Sequence, residues 1–284
     1  MSSASVTASA PGELAHARPA RAASATAFKA LLLRDLAVLR KTLAMVLVRT
    51  AMQPILLIFV FTYVFPRIGQ GVGGGGARAA GFSTLLVAGV VGLSVIFTGI
   101  QAVALPLVNE FGYTKEIEDR ILAPLPVWAV AVEKIVAGAI QALIAGAFVF
   151  PLAALIPSTP VHLHVHWAVL VTLAPLACLL GGSLGLAIGT RFDTRQVPLI
   201  FSIIVLPITF LGAMYYTWSS LAKVRWLQLV VLVNPLVYMN EGFRKALTAG
   251  VPTMPTAAIY TALAVFTIGL GALGIQGFRK RVIA

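Results

Sequence analysis

The chain alternates between long apolar runs and short polar segments. Runs such as Phe82–Leu105 and Val130–Ile156 are each long enough to cross the roughly 30 Å hydrocarbon core of a bilayer as a helix. Because backbone polar groups in lipid must be satisfied within helices, the pattern predicts an all-α membrane protein. It predicts six spanning helices: 43–65, 82–105, 130–156, 167–190, 197–218 and 256–276.

Composition supports this class. Hydrophobic residues form 59% of the 284 residues and charged residues only 11%, which is typical of polytopic membrane proteins. The net charge of +12 comes from basic residues at the ends and between spans, which indicates lipid head groups as partners rather than nucleic acid. Residues 1–27 are low in complexity and are predicted to be a disordered tail. The single Cys178 excludes an intrachain disulfide.

Residues 28–42 have an apolar arc with basic residues off it, which predicts a helix lying in the membrane interface. Asp35 interrupts the arc. It either pairs with a basic group on a neighbouring helix or partner, or is solvated at head-group level, and we favour solvation. Arg49 lies near the start of the first span, where its side chain can snorkel to the interface, and Pro54 is expected to kink this span.

The segment 109–128 between the second and third spans is strongly charged. Such a segment cannot lie in lipid, so it must lie in water on one face of the membrane, where a soluble partner could bind it. Pro106 is expected to close the span before it, and Pro124 and Pro126 to turn the chain into the next span. Its charged residues are Glu110, Lys115, Glu116, Glu118, Asp119 and Arg120.

Two further segments have recognisable patterns. Residues 219–249 contain two short apolar pieces joined at Asn234–Pro235, which predicts a re-entrant hairpin that enters one leaflet and returns. Gly181, Gly185 and Gly189 form two overlapping GxxxG units, which predict close approach of a neighbouring helix.

The distribution of Lys and Arg predicts the orientation. Six spans place both termini and the segment 109–128 on one side, with 15 Lys and Arg residues there against six on the other. Positive residues favour the cytoplasm, so both termini are predicted to be cytoplasmic and the hairpin external.

Soluble catalytic machinery is not evident in the sequence. The glycine-rich run 69–76 lacks the GxxxxGK[ST] pattern and is interpreted as a flexible connector. Alternate histidines His162, His164 and His166 could bind a metal, but with no carboxylate nearby we favour surface histidines. The middles of the predicted spans hold no ionisable residue, which counts against an ion-coupled carrier. The chain is therefore not expected to be an enzyme.

Three blocks resemble the ABC-2 family of export permeases, which serve drug efflux and the export of lipo-oligosaccharide and polysaccharide. The blocks are 110–128 (EFGYTKEIEDRILAPLPVW), 192–217 (FDTRQVPLIFSIIVLPITFLGAMYYT) and 234–247 (NPLVYMNEGFRKAL). The resemblance covers nearly the whole chain from about residue 28. It is specific for the family and uninformative about the substrate.

The resemblance implies a bacterial inner-membrane permease that works with a separate ABC ATPase dimer and a second permease copy, the pair being a homodimer or heterodimer. ATP and Mg²⁺ would bind to the ATPase, and no cofactor to this chain. The charged residues of 109–128 would form a coupling helix seated on the ATPase, and the interfacial helix would make a second contact. The residues proposed for that second contact are Lys29, Arg34 and Asp35.

The resemblance also suggests an external gate, for which structural plugging of the outer leaflet is an equal alternative. The gate residues would be Asn234, Pro235, Tyr238, Glu241 and Arg244. A mostly apolar path is expected, although lipid-facing aromatic residues explain the same positions. The path residues proposed are Phe59, Tyr63, Phe201, Phe210, Met214 and Tyr215.

The leading hypothesis is ATP-driven export of an amphiphilic drug or lipid-like substrate. Export of a lipid-linked glycan or polysaccharide by the same mechanism is the alternative. Two other classes stay open: a non-transporting membrane sensor or assembly factor, and an ion-coupled carrier.

Overall fold

The computed structural model describes residues 20–68, 77–112, 125–156, 163–192 and 196–283. The coupling residues from Lys115 to Arg120, the glycine-rich run 69–76 and His162 lie outside these ranges. So does the low-complexity tail up to residue 19.

The described residues are helical almost throughout. In chain order the α-helices are α1 (Ala20–Phe59), α2 (Phe65–Arg67), α3 (Ala77–Gly112), α4 (Val127–Leu155), α5 (Trp167–Arg191), α6 (Val197–Phe210), α7 (Arg225–Val230), α8 (Pro235–Leu247) and α9 (Thr256–Ile283). A π-helical turn, Val60–Val64, joins α1 to α2, and 3₁₀ turns at Trp218–Lys223 and Val231–Val233 flank α7.

Five helices in the described part of the chain are long and apolar enough to cross a membrane. They coincide with five of the six predicted spans. The five stretches are Ser24–Val64, Gly81–Gly112, Val127–Leu155, Trp167–Arg191 and Thr256–Val282.

Helix α3 is the centre of the bundle, with 83% of its apolar stretch buried against 17% for α1 and 22% for α9. Contacts along α3 give the helix directions. Its partner α1 runs antiparallel, since Arg49 meets Gln101 while Phe61 meets Phe82. Helix α5 runs parallel to α3, as the glycine contacts below show. The ends of α3 and α5 therefore lie on the same side as the start of α1.

The predicted close approach at the GxxxG units is confirmed. A Cβ added to Gly185 would lie 2.7 Å from the carbonyl oxygen of Ile100 on α3, and Gly189 packs on Ala104 and Leu107 of the same helix. Because these neighbours are largely backbone, only glycine permits this helix spacing. Helix α5 also packs on α9, which runs parallel to it, since Ser183 lies near Gly271 and Thr190 near Gly277.

The first helix differs from the prediction. A separate interfacial helix (28–42) and first span (43–65) were expected, but both lie in the continuous helix that begins at Ala20 and ends at Arg67. The physical reason is that residues 28–53 contain neither Gly nor Pro, so nothing terminates the helix at residue 42. The helix continues through Pro54 and departs from α geometry at the π turn Val60–Val64.

The predicted closure of the second span at Pro106 is also wrong. Helix α3 continues through Pro106 to Gly112, so Asn109 and Glu110 belong to the helix rather than to a loop. The following helix, α4, begins after Pro126 as predicted. A proline removes one backbone donor, and the hydrogen bonds on either side keep the helix intact.

The predicted span 197–218 is helical only over Val197–Phe210, 14 residues or about 21 Å. Ala213 then has a left-handed φ of 53°, which is incompatible with continuing a right-handed helix. Carbonyls at and just after the end of this helix receive hydrogen bonds from side chains at the start of α8 and within it: Asn234 donates to Ile208 O at 2.8 Å and Asn240 to Gly212 O at 2.7 Å.

Candidate coupling site and buried polar clusters

The ends of α3 and α4 that flank the segment 113–124 are tied together by a buried ion-pair cluster. Lys134 Nζ on α4 donates to Glu110 Oε1 on α3 at 2.6 Å and to Asp35 Oδ2 on α1 at 3.4 Å. The Lys134 side chain is 4% exposed and the Glu110 side chain 8%. We call Asp35, Glu110 and Lys134 the coupling-end cluster. It joins the three helices that surround both ends of the coupling segment.

Two predictions change as a result. Glu110 was expected to face a soluble ATPase, but it is buried and paired within its own chain. Asp35 was expected to be solvated at head-group level, and the alternative pairing with a neighbouring helix is correct. The reason is the helical continuation past Pro106, which turns Glu110 towards α4. Lys29 and Arg34, which were predicted with Asp35 to form a second contact with the ATPase, are exposed on α1.

A cavity of about 390 Å³ opens beside the coupling-end cluster. Its polar lining includes Arg34, Thr42 and Gln141 as well as the cluster itself. Glu133, which precedes Lys134, is fully buried as well. Removing an ionised group from water costs several kcal/mol, so the charged side chains buried between these helices stay ionised only when opposite charges lie beside them.

A second buried cluster holds the predicted gate segment at the opposite end of the bundle. Arg244 and Glu241 on α8 are both 0% exposed and joined at 3.0 Å. Glu241 accepts backbone N–H groups from Trp218 at 2.9 Å and from Met254 at 3.0 Å. Arg244 donates to the carbonyls of Ala213 and, at 3.0 Å, Met214. We call this pair with its backbone partners the α8 cluster.

The remaining predicted gate residues fix the start of α8. The side chain of Asn234 accepts the N–H of Leu236 at 3.0 Å, so it caps the helix, and Pro235 occupies the first helical position. Tyr238 donates its hydroxyl to Leu232 O at 3.1 Å. All five predicted gate residues therefore lie together, and their contacts secure the backbone between the end of α6 and the start of α9.

The structure describes the side chains of five of the six proposed path residues, and these five have different surroundings. Phe59 stacks on Tyr63 with ring centroids 5.0 Å apart, and Tyr215 packs on Phe61 at 5.4 Å. Phe210 is largely exposed, whereas Met214 is fully buried against Gly89, which does not suit a residue that lines an open path. The side chain of Phe201 lies outside the described residues.

The histidine segment contacts α8. His164 and His166 are exposed, with ring centroids 4.7 Å apart. Their backbone N–H groups donate to Leu247 O at 3.0 Å and Ala246 O at 2.7 Å. Among the described residues, no group of three His, Cys, Asp or Glu side chains is arranged to hold a metal ion.

Sequence reasoning missed a polar cluster between α1 and α3. Arg49, expected to snorkel, donates to Gln101 Oε1, and Thr98 on α3 donates to Thr50 on α1 at 3.4 Å. The signal was available in the spacing, because Ser94, Thr98 and Gln101 recur every three or four residues and share one helix face.

Comparisons with known proteins find a matching family model and similar permeases. Residues 26–248 match the family model described as ABC-2 type transporter. The chain is similar to the inner membrane transport permease YadH of Escherichia coli K12, with 27% identity over 226 residues, which cover 78% of this chain and 84% of YadH. The same permease from Escherichia coli O157:H7 and from Shigella flexneri gives the same identity and coverage.

Proposed function

The chain belongs to the ABC-2 type transporter family, and we propose that it is the permease subunit of an ATP-driven exporter in a bacterial inner membrane. Its cargo in this proposal is an amphiphilic drug or a lipid-like molecule. A separate ABC ATPase dimer binds and hydrolyses ATP with Mg²⁺, and two permease copies form the path.

The observation that carries the proposal is the coupling-end cluster. Lys134 follows the segment 113–124, Glu110 precedes it, and Asp35 belongs to the first helix. A displacement of the segment by a soluble partner therefore acts on α1, α3 and α4 together. In this mechanism the ATPase moves the segment through Glu116, Glu118, Asp119 and their neighbours, and the buried ion pairs pass that movement to the membrane helices.

The parallel arrangement of α5 and α9 supports a sixth crossing. Both helices begin on the same side, so the chain between Arg191 and Thr256 has to return there. Helix α6, at about 21 Å, covers part of the hydrocarbon thickness, and the α8 cluster satisfies the non-helical backbone that follows it. The segment from Trp218 to Leu247 is then the external re-entrant element.

The predicted orientation can be tested by thiol labelling, because the one native cysteine, Cys178, is buried. Cysteines placed at the exposed positions Lys280 and Ser220 report the two ends of the bundle. With cytoplasmic termini, an impermeant maleimide added to intact cells labels the Ser220→Cys variant and spares the Lys280→Cys variant. The opposite result refutes the orientation.

Coupling is tested by purifying the permease with any ATPase that accompanies it. We expect a co-eluting ATPase whose turnover falls at least several-fold in Glu118→Lys. Lys223→Glu is a matched charge reversal at an exposed position on the other end of the bundle and leaves turnover unchanged. A chain that transports cargo in liposomes without an ATPase would instead be a carrier.

The same preparation of permease and ATPase tests two alternative functions. Export of a lipid-linked glycan uses the same coupling, and the ATPase would then respond to glycolipid rather than to simple amphiphiles. A sensor or assembly factor would bind its partner without any cargo-dependent change in ATP turnover. We favour export of a simple amphiphile because the groove that follows α1 from Val48 to Phe61 is lined mostly by apolar side chains.

A further inference from the structure

A polar cavity lies between α1 and α3, well inside the stretch that is apolar enough to cross a membrane. Its volume is about 180 Å³. Its polar lining consists of Arg49, Thr50, Gln53, Ser94, Thr98 and Gln101. Gln101 precedes the end of α3 at Gly112 by eleven residues, or about 16 Å. Polar groups at such depth are costly in a membrane protein, and they commonly mark a path or binding site.

The charge of Arg49 is not neutralised within the described part of the chain. Its guanidinium donates to Gln101, which is a neutral acceptor. The described ion pairs involve Lys134 and Arg244, and no carboxylate among the described residues pairs with Arg49. A guanidinium has five N–H donors in a planar fork, so donors remain for a carboxylate or phosphate. The Arg49 side chain is exposed.

A shallow, open apolar groove of about 730 Å³, lined by side chains of the first helix alone, begins where the polar cavity ends. Arg49 and Gln53 line both. The groove follows α1 from Val48 to Phe61 and includes Met52 and Leu56. Thirteen helical steps are roughly 20 Å, somewhat more than the half-thickness of about 15 Å of a hydrocarbon core. A positively charged pocket is therefore continuous with a groove of the length of one lipid leaflet.

We propose that this site binds the cargo of the permease, and that the cargo is an anionic amphiphile. Arg49 and Gln53 hold its acidic head group in the polar cavity, and its apolar tail lies in the groove along α1. The assignment rests on the proposed export function and narrows its substrate class to molecules with a carboxylate, phosphate or sulfate head and a single long tail. A cationic amphiphile is disfavoured, since burying its charge beside Arg49 costs energy.

Binding is tested with the full chain in nanodiscs of phosphatidylcholine. Two fluorescent probes share one acyl chain and differ in the head group: lysophosphatidic acid, which is anionic, and lysophosphatidylcholine, which is zwitterionic. We expect the anionic probe to bind about tenfold more tightly or better, and Arg49→Gln to remove most of that preference. Arg49→Lys keeps the charge and retains a measurable preference.

Two variants make the result interpretable. Arg40→Gln removes an exposed arginine from the same helix outside both cavities, and it leaves binding of both probes unchanged. Met52→Trp fills the groove and weakens both probes to a similar extent. Equal affinity for the two probes, or equal effects of Arg49→Gln and Arg40→Gln, overturns the proposal.

The cargo assignment is separated from the export function by measuring ATP turnover of the permease–ATPase complex in proteoliposomes. We expect lysophosphatidic acid to stimulate turnover, and Arg49→Gln to raise the half-saturating concentration about tenfold. If the complex exports another cargo and its ATP turnover does not respond to lysophosphatidic acid, the cargo assignment is refuted and the proposed export function is not. If no ATPase co-purifies with the chain and the nanodisc assay still shows binding of the anionic probe, the exporter is refuted and the site holds a resident lipid instead.

Discussion

Lys134 Nζ lies 2.6 Å from Glu110 Oε1, and both groups are almost completely buried. The two residues stand on either side of the charged segment that the family resemblance assigns to the ATPase interface. Their pairing makes the two flanking helices one mechanical unit at that end of the bundle. Removing either partner takes away the nearest opposite charge of a group that stays buried, which costs more than the net value of the pair.

We therefore expect Glu110→Gln and Lys134→Met each to destabilise the protein by about 3–5 kcal/mol. Thermal unfolding in detergent, followed by circular dichroism, measures this. Asp35→Asn is the matched comparison, since Asp35 is farther from Lys134, at 3.4 Å, and 18% exposed. It should lower stability by about 1 kcal/mol. Equal stability of Glu110→Gln and Asp35→Asn would contradict a dominant Glu110–Lys134 pair.

The reversed pair Glu110→Lys with Lys134→Glu tests coupling apart from stability. The exchange restores opposite charges at the two positions, so we expect it to recover part of the lost stability. Asp35 then faces a carboxylate instead of an ammonium, and its link to α4 is lost. Cargo-dependent ATP turnover should therefore stay low even where the melting temperature recovers. Full recovery of turnover would show that Asp35 takes no part in coupling.

The Glu241–Arg244 pair gives a second stability prediction. Arg244→Met leaves Glu241 buried and frees the carbonyls of Ala213 and Met214, so we expect a loss of about 3–5 kcal/mol. Hydrogen exchange should quicken between Leu211 and Trp218, while the coupling-end cluster keeps its protection. The matched control Lys245→Met removes the adjacent, partly exposed charge and should cost less than about 0.5 kcal/mol.

Local patterns predicted the positions of most helices, and the failure at α6 has a cause that lies far away in the chain. Trp167–Arg191 agrees with its predicted span within one residue. The end of α6 at Phe210 depends on Asn234, Asn240 and Arg244, which lie 26 to 31 residues farther along the chain from the carbonyls they satisfy. Such contacts leave no periodic trace in the sequence.

The candidate sites likewise combine features that the local sequence predicts with contacts between residues far apart in the chain. The charged segment between the second and third spans was apparent from composition alone. The partners of its flanking residues were not, since Asp35 and Lys134 are 99 residues apart. The polar cavity at Arg49 was not predicted. The repeat of Ser94, Thr98 and Gln101 marks a polar face of α3, but only the structure shows that α1 packs on that face.

Gly92 on α3 provides a test of how closely α8 packs. A Cβ at this position would lie 2.1 Å from Asn240 Oδ1 and 3.3 Å from the Phe243 ring. Gly92→Ala should therefore destabilise the protein by about 1–3 kcal/mol. A Cβ added to Gly269 on α9 would have no neighbouring atom within 4 Å, so Gly269→Ala should be neutral or slightly stabilising. Combining Gly92→Ala with Asn240→Ala removes the clash, so the double variant should lose less stability than the two single effects added together.

Arg281 offers a final prediction at the end of the bundle that carries the coupling-end cluster. Its guanidinium donates to Phe192 O and, at 3.3 Å, to Gly189 O, and it lies 5.4 Å from the centre of the Phe111 ring. It thus joins α9 to the last turn of α5 and to α3 one residue before its end. Arg281→Ala should cost about 1–3 kcal/mol, because carbonyls at the end of α5 lose a charged donor and the ring loses a cation–π partner. Hydrogen exchange at 189–192 should rise with it. Lys280 is an exposed neighbour, so Lys280→Ala should change neither the stability nor the hydrogen exchange at 189–192. A similar effect of the two variants would mean that the loss arises from the removed charge alone rather than from these contacts.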